Sequence, residues 1–308
     1  MPIRRHLLFS LVLTTLAVAG CYIDLVPLRL DGPRQKNGGA SVNFIEGQTY
    51  AVRGGQTLQF DLYRPTDFAV GNKPLVILVH GGSWRSGDRF YMLEWCYDLA
   101  AQGYAAATID YRLAGDGVAY PEPVSDVLAA VRYFRDNAVT YGIDPNRVAL
   151  FGQSAGGHLA MLAGLSNDVS VFDPTRPIGE STMVRCVVDL FGPTDLAADP
   201  STADMDQIER VEGFMGASLA DAGPLLAEAS PINYVRTNGP PILIVHGDAD
   251  TLVPVDQARR MVDALSGIGQ SHEYVEVPGM DHVPGAIWQL EFTQNYRAAV
   301  LAFLAASL

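Results

Sequence analysis

An α/β fold with a mostly parallel central sheet flanked by helices is predicted by three observations. Short β-rich runs alternate with longer helical patterns along most of the chain. Several of those runs are apolar throughout instead of alternating, as strands covered on both faces must be. One of them leads through a serine held between glycines straight into a helical stretch, "ALFGQSAGGHLAML".

In chain order, the predicted strands are Leu58–Arg64, Leu75–His80, Ala105–Tyr111, Arg147–Gly152, Arg185–Gly192, Ile242–Gly247 and His272–Val277. Between them, "VSDVLAAVRYFRDNA" places Val124, Leu128, Val131 and Phe134 near helical spacing. "AGGHLAMLAGL" reads as the helix after the serine, and "PVDQARRMVDALSGIG" opens with Pro254 and closes with Gly269, the usual punctuation of a helix. Nearly fifty residues separate Gly192 from Ile242, more than a crossover needs, so a helical insertion is expected between residues 193 and 240. Its Met205, Phe214, Met215, Leu225 and Leu226 suit the wall or lid of an apolar pocket, and equally ordinary packing.

The N-terminus reads differently. Arg4 and Arg5 precede the apolar run Leu7–Ala19, which is short for a bilayer span and ends in small residues, the layout of a signal peptide over residues 1–20. Val18-Ala19-Gly20-Cys21 resembles the lipobox of bacterial lipoproteins. That resemblance implies lipid on Cys21, attachment to a membrane through that anchor, and a place in the periplasm or on the cell surface. Ordinary cleavage after Ala17-Val18-Ala19 is the alternative and leaves Cys21 a free thiol. Residues 21–45, polar and rich in glycine, read as a tether, and residues 46–308 as the folded domain.

Composition narrows the partners. A net charge of −13 with no basic stripe argues against nucleic acid. Cys96 and Cys186 remain in the folded part, either paired in an oxidising compartment or buried as two thiols. No metal-ligand spacing and no dinucleotide or phosphate loop is found, so no metal and no cofactor is expected.

The chemistry starts at Gly152-Gln153-Ser154-Ala155-Gly156, a G-x-S-x-G pattern in the strand-turn-helix setting a nucleophilic serine requires; the pattern alone leaves a plain turn serine equally open, and the residues that follow decide between them. A serine hydroxyl needs a base, and in a parallel sheet the base must come from the carboxyl edge of the strands. Of the six histidines, His6 lies in the leader, His272 opens a strand at the wrong edge, His80 and His246 end strands, and His158 sits one helical turn past Ser154 beneath the elbow. His282 follows the last strand in "PGMDHVPG" and is the candidate base. The acid that orients it falls in "DADTLVP", where spacing does not separate Asp248 from Asp250, while Asp281 is expected to be solvated. Glycines in "LVHGGSWRSGD" free backbone N–H groups for an oxyanion: Gly82 and Ser83, joined by Ala155.

Taken together, "HGGSW", "IDYRL", "YGIDPNRVALFGQSAGGHLA", "HGDADTLVP" and "GMDH" resemble the α/β-hydrolase superfamily, most closely its branch of hormone-sensitive-lipase-like carboxylesterases, feruloyl and acetyl esterases and kynurenine formamidases. The resemblance implies that the acid is Asp250, the last residue of an H-G-x-x-D pattern. It departs from the common H-G-G-G form at Ser83, followed by Trp84. The expectation is therefore a serine carboxylesterase acting on a small-molecule ester through Ser154, His282 and Asp250. Cleavage of an amide-like bond, as by an aryl formamidase or a peptidase, is the alternative. A silent hydrolase fold serving as a binding module is the remoter one.

Overall fold

Apolar runs become a sheet here because the chain covers both of its faces. In β3 (Lys73–Val79), Leu75, Ile77 and Val79 enter one hydrophobic core while Val76 and Leu78 enter a second on the opposite face. The computed structural model describes residues 42–66, 73–166, 169–173, 181–198, 205–282 and 290–308. These all fall within one compact unit, Gly32–Leu308. The predicted leader, the lipidation at Cys21 and the tether up to residue 41 lie outside the described residues.

The other strands are β1 (Val42–Arg53), β2 (Gln56–Pro65), β4 (Ala105–Ile109), β5 (Ile143–Gln153), β6 (Cys186–Leu190), β7 (Ile242–Gly247) and β8 (His272–Val277). They lie in the order β1-β2-β4-β3-β5-β6-β7-β8. From β4 to β8 every pairing is parallel, and β2 runs antiparallel to both of its neighbours. Strand β1 was not expected. Its residues 42–45 fall in the predicted tether but pair with β2, so the folded domain begins at or before Val42 and not at residue 46.

Helices α1 (Leu93–Ala101) and α8 (Leu290–Ser307) cover one face. The other carries α2 (Glu122–Asp136), the short α3 (Ala138–Tyr141), α4 (Ala155–Leu165) and α7 (Asp256–Ile268). Helix α4 is buried along its whole length, consistent with its lack of a polar stripe. The expected insertion contains α5 (Met205–Met215) and α6 (Leu219–Glu228). Phe214 and Met215 turn into the core, whereas Leu225 is exposed. Cys96 and Cys186 are both free, buried thiols, which removes the disulfide alternative. Burial pushes the Cys186 thiol up to about 12, outweighing a hydrogen bond from Ser307.

Topology selects where a site can form. The chain leaves β3 for β4 on one side and later returns to β5 on the other, so connections diverge between the neighbouring carboxyl ends of β3 and β5. Such a switch point opens a crevice at the sheet edge. Among the described residues, no helix is long and apolar enough to cross a membrane.

Candidate active site

At the end of β5 the chain reverses into α4 within one residue. Ser154 takes φ 54° and ψ −126°, a conformation that costs a non-glycine residue ~1–3 kcal/mol. Glycines on either side make the reversal possible. A Cβ on Gly152 would lie 2.0 Å from the Gly156 carbonyl oxygen, and one on Gly156 would lie 2.1 Å from that of Val79. The Ser154 N–H donates to the Leu190 carbonyl at 2.8 Å, and the Ser154 carbonyl accepts from the His158 N–H at 3.0 Å. The side chain is thereby presented above the sheet edge.

His282 reaches it from the turn after β8. Its Nε2 is 2.8 Å from Ser154 Oγ, and its Nδ1 is 2.7 Å from Asp250 Oδ2. The ring is buried and stands edge-on to Phe191, with centroids 5.0 Å apart. Asp250 is fixed by its own turn after β7, where Oδ1 accepts from the N–H groups of Leu252 (2.9 Å) and Val253 (2.8 Å). Burial pushes its carboxyl up, but hydrogen bonds from His246 and His282 more than offset this and hold it at about 2. An ionised Asp250 accepts the Nδ1 proton of His282, which leaves Nε2 as the acceptor for the Ser154 hydroxyl.

The structure thus brings Ser154, His282 and Asp250 into one hydrogen-bonded chain and separates the aspartates that spacing did not. Asp248 is turned to the β8 side, where Oδ1 accepts from the Gly279 N–H at 2.6 Å. Asp281 is partly exposed, in keeping with expectation, but it also has partners. It accepts from the Thr251 N–H and hydroxyl and from the His282 N–H, pinning the histidine turn to the aspartate turn. Its pKa is lowered because those hydrogen bonds outweigh burial.

The loop after β3 lies against the elbow, where a Cβ on Gly81 would come within 3.2 Å of Ser154 Cβ. Gly82, Ser83 and Trp84 follow with φ of 117°, 53° and 60°. Gly82 caps the turn, its carbonyl accepting from the Arg85 and Ser86 N–H groups at 3.1 and 3.0 Å. Ser83 and Ala155 join Ser154 in lining a cleft of about 640 Å³, with Ile208, Val211 and Leu252 on its wall.

The other histidines serve the frame. His158 is buried beneath the elbow, accepting from the Trp84 indole N–H at 3.1 Å and donating from Nε2 to the Ala229 carbonyl at 2.7 Å. Burial lowers its pKa to about 4 against that backbone hydrogen bond. His80 donates from Nδ1 to the Gly81 carbonyl and stacks on Tyr111. His246 donates from Nε2 to the Val253 carbonyl at 2.8 Å and lies 3.2 Å from Asp250 Oδ2. Its contact with the acid carries no signal in the sequence beyond its place in "HGDAD". Among the described residues, no group of three or more His, Cys, Asp or Glu is placed to hold a metal ion.

A parallel sheet with a serine elbow at its switch point and a histidine and an acid delivered from the last two strands defines the α/β-hydrolase class. Within it, the chain belongs to the BD-FAE family, whose pattern matches residues 60–265. It is 37% identical over 229 residues to esterase LipC of Mycobacterium tuberculosis, covering 72% of this chain and 56% of the relative. It is 30% identical to carboxylesterase NlhH of the same organism, covering 77% of this chain and 74% of NlhH. The chain spans little more than half the length of several curated relatives it matches. Among solved structures, a truncated carbohydrate esterase from gut microbiota superposes with a TM-score of 0.71 at 27% identity, covering 87% of this chain and 99% of the other. Esterase Est2 of Thermogutta terrifontis with bound propionate gives a TM-score of 0.71 at 25% identity, covering 88% and 96%.

Proposed function

We propose that this chain is a serine carboxylesterase that hydrolyses small carboxylic esters through an acyl-enzyme. The observation that carries the reading is the hydrogen-bonded line from Ser154 Oγ through His282 to Asp250 at the edge of an open cleft. Ser154 attacks the ester carbonyl while His282 Nε2 takes its proton. His282 then returns that proton to the leaving alcohol, and Asp250 stabilises the imidazolium in between. The backbone N–H groups of Gly82, Ser83 and Ala155 stabilise the oxyanion. A water activated by His282 releases the acid and restores Ser154. Similarity to LipC, NlhH and Est2 supports an ester over an amide, and the propionate bound to Est2 supports a short acyl group.

The leader reading extends the proposal: Cys21 carries lipid and tethers the enzyme to a membrane surface outside the cytoplasm. Mass spectrometry of the processed N-terminus distinguishes a diacylglyceryl cysteine from a free thiol.

Turnover of p-nitrophenyl esters of graded chain length, set beside turnover of N-formylkynurenine, tests the activity. Ester hydrolysis that falls off with acyl length is expected. Formamide hydrolysis with negligible ester turnover would replace the esterase reading with the amidase one.

A further inference from the structure

The oxyanion loop is held from outside by the insertion between β6 and β7. Gly82, Ser83 and Trp84 all have left-handed φ, and two of the three carry side chains that disfavour it. Left alone, such a segment relaxes and its N–H groups lose their aim. Helix α5 meets all three residues from Ser83 to Arg85. Arg210 Nη1 donates to Ser83 Oγ at 2.5 Å. Phe214 stacks on the Trp84 ring with centroids 4.6 Å apart and planes 21° from parallel. Gly213 faces the Arg85 side chain, where a Cβ would come within 3.1 Å of Cδ. Positions 210, 213 and 214 share one face of a helix, so the three contacts form a single docking edge.

Arg210 is itself aimed. Its Nε donates to Asp206 Oδ2 at 2.9 Å, one helical turn back, which fixes the guanidinium plane while Nη1 reaches the loop. Its partner depends on the departure noted in the sequence, because the Ser83 hydroxyl gives this arginine an acceptor and a glycine at position 83 would not. The side chain at 83 thus serves the cap helix while the N–H of the same residue serves the reaction.

We propose that Arg210 is a positioning residue that acts through the Ser83 hydroxyl to hold the oxyanion loop, making α5 part of the catalytic frame as well as a wall of the cleft. The inference rests on the esterase reading for its kinetic consequence and on geometry alone for the brace.

The test compares wild type, R210A, R210K, S83A and the S83A/R210A double variant on p-nitrophenyl acetate, with hydrogen–deuterium exchange of the segment 82–86 in the same proteins. Losing a whole oxyanion donor costs about a hundred- to a thousandfold, so a loosened donor in R210A is expected to lower kcat about tenfold with KM nearly unchanged. R210K keeps a donor for Ser83 and is expected to recover most of the loss. S83A, which retains its N–H, is expected to match R210A, and R210A is expected to add nothing on the S83A background. Exchange at residues 82–86 is expected to rise in R210A. A raised KM with kcat intact makes Arg210 a substrate contact and overturns the proposal, as do additive losses in the double variant or unchanged exchange. If wild type hydrolyses no ester, the esterase reading falls and the exchange measurement alone decides the brace.

Discussion

The elbow at Ser154 and the loop Gly82–Trp84 stand at the mouth of one cleft, and both keep side-chain-bearing residues in left-handed φ, yet they are held by different means. At the elbow the restraint is main chain on main chain: Gly152 on Gly156, Gly156 on Val79, and the Ser154 N–H on Leu190. In the loop the backbone closes only the turn itself, the Gly82 carbonyl accepting from the Arg85 and Ser86 N–H groups and the Trp84 carbonyl from the Ala114 N–H, while side chains from afar add Arg210 on Ser83 and Phe214 and His158 on Trp84. Strain held by neighbouring glycines is written locally as a motif. Strain held by distant side chains leaves no compact signature.

The turn bearing Asp250 is closed by its own carboxylate on the Leu252 and Val253 N–H groups and tied to the His282 turn through Asp281, and substitution there sets the upper limit of effect. Asp250→Asn keeps the shape but offers an amide where His282 donates, and the expected loss in kcat is about 10⁴-fold. Asp248→Asn keeps an acceptor for the Gly279 N–H and is expected to lose less than about tenfold. Steady-state rates of the two variants give the ratio, and similar losses would reject Asp250 as the acid.

Next in size is the elbow itself. Gly156→Ala places a methyl 2.1 Å from the Val79 carbonyl oxygen, against backbone that cannot swing away. Urea denaturation is expected to show a loss of at least about 4 kcal/mol or no folded protein. Trp84→Phe keeps a ring for Phe214 but removes the indole donor to His158 and part of a buried ring, so about 2–3 kcal/mol is expected. Equal costs at the two sites would erase the distinction between backbone-held and side-chain-held strain.

A further expected effect is a pH slope. His158 accepts from Trp84, so it must stay neutral in the folded chain, and its pKa of about 4 lies below the ordinary value near 6.5. The unfolded chain therefore binds the proton first. This contribution to stability is complete above roughly pH 6.5 and is lost as pH falls toward 4, on the order of 3 kcal/mol in all. His80, also lowered by burial, adds a slope of the same sign. His158→Gln is expected to flatten the stability profile between these pH values, and a slope identical to wild type would contradict the role given to His158.

How much of this was legible follows the same division. Strands β3 to β7 were readable because their largely apolar runs leave no other way to be buried, and β2 and β8 as short β-rich runs bounded by turn residues. β1 was not, because it is a half-exposed edge strand with polar residues and register shifts at Ile45/Gln48 and Thr49/Ala51, which resemble a tether in sequence. Ser154 was legible from the G-x-S-x-G pattern in its strand-turn-helix setting, and His282 by asking which histidine reaches the carboxyl edge. The choice between Asp248 and Asp250 needed either a family resemblance or coordinates, since two residues of spacing reverse the direction of a side chain in a turn. Arg210, Phe214 and His246 enter the site across 127, 130 and 4 residues from Ser83, Trp84 and Asp250 and are typed like any surface arginine, core phenylalanine or strand-end histidine. Nothing short of the fold brings them together.

The central claim is that Ser154 is a nucleophile activated by His282. Peptide mapping by mass spectrometry after treatment with a fluorophosphonate tests it most directly. A single adduct on Ser154, absent from Ser154→Ala and strongly slowed in His282→Ala, is the predicted result. A folded wild-type protein that takes no label at Ser154, or labels equally well without His282, would contradict it.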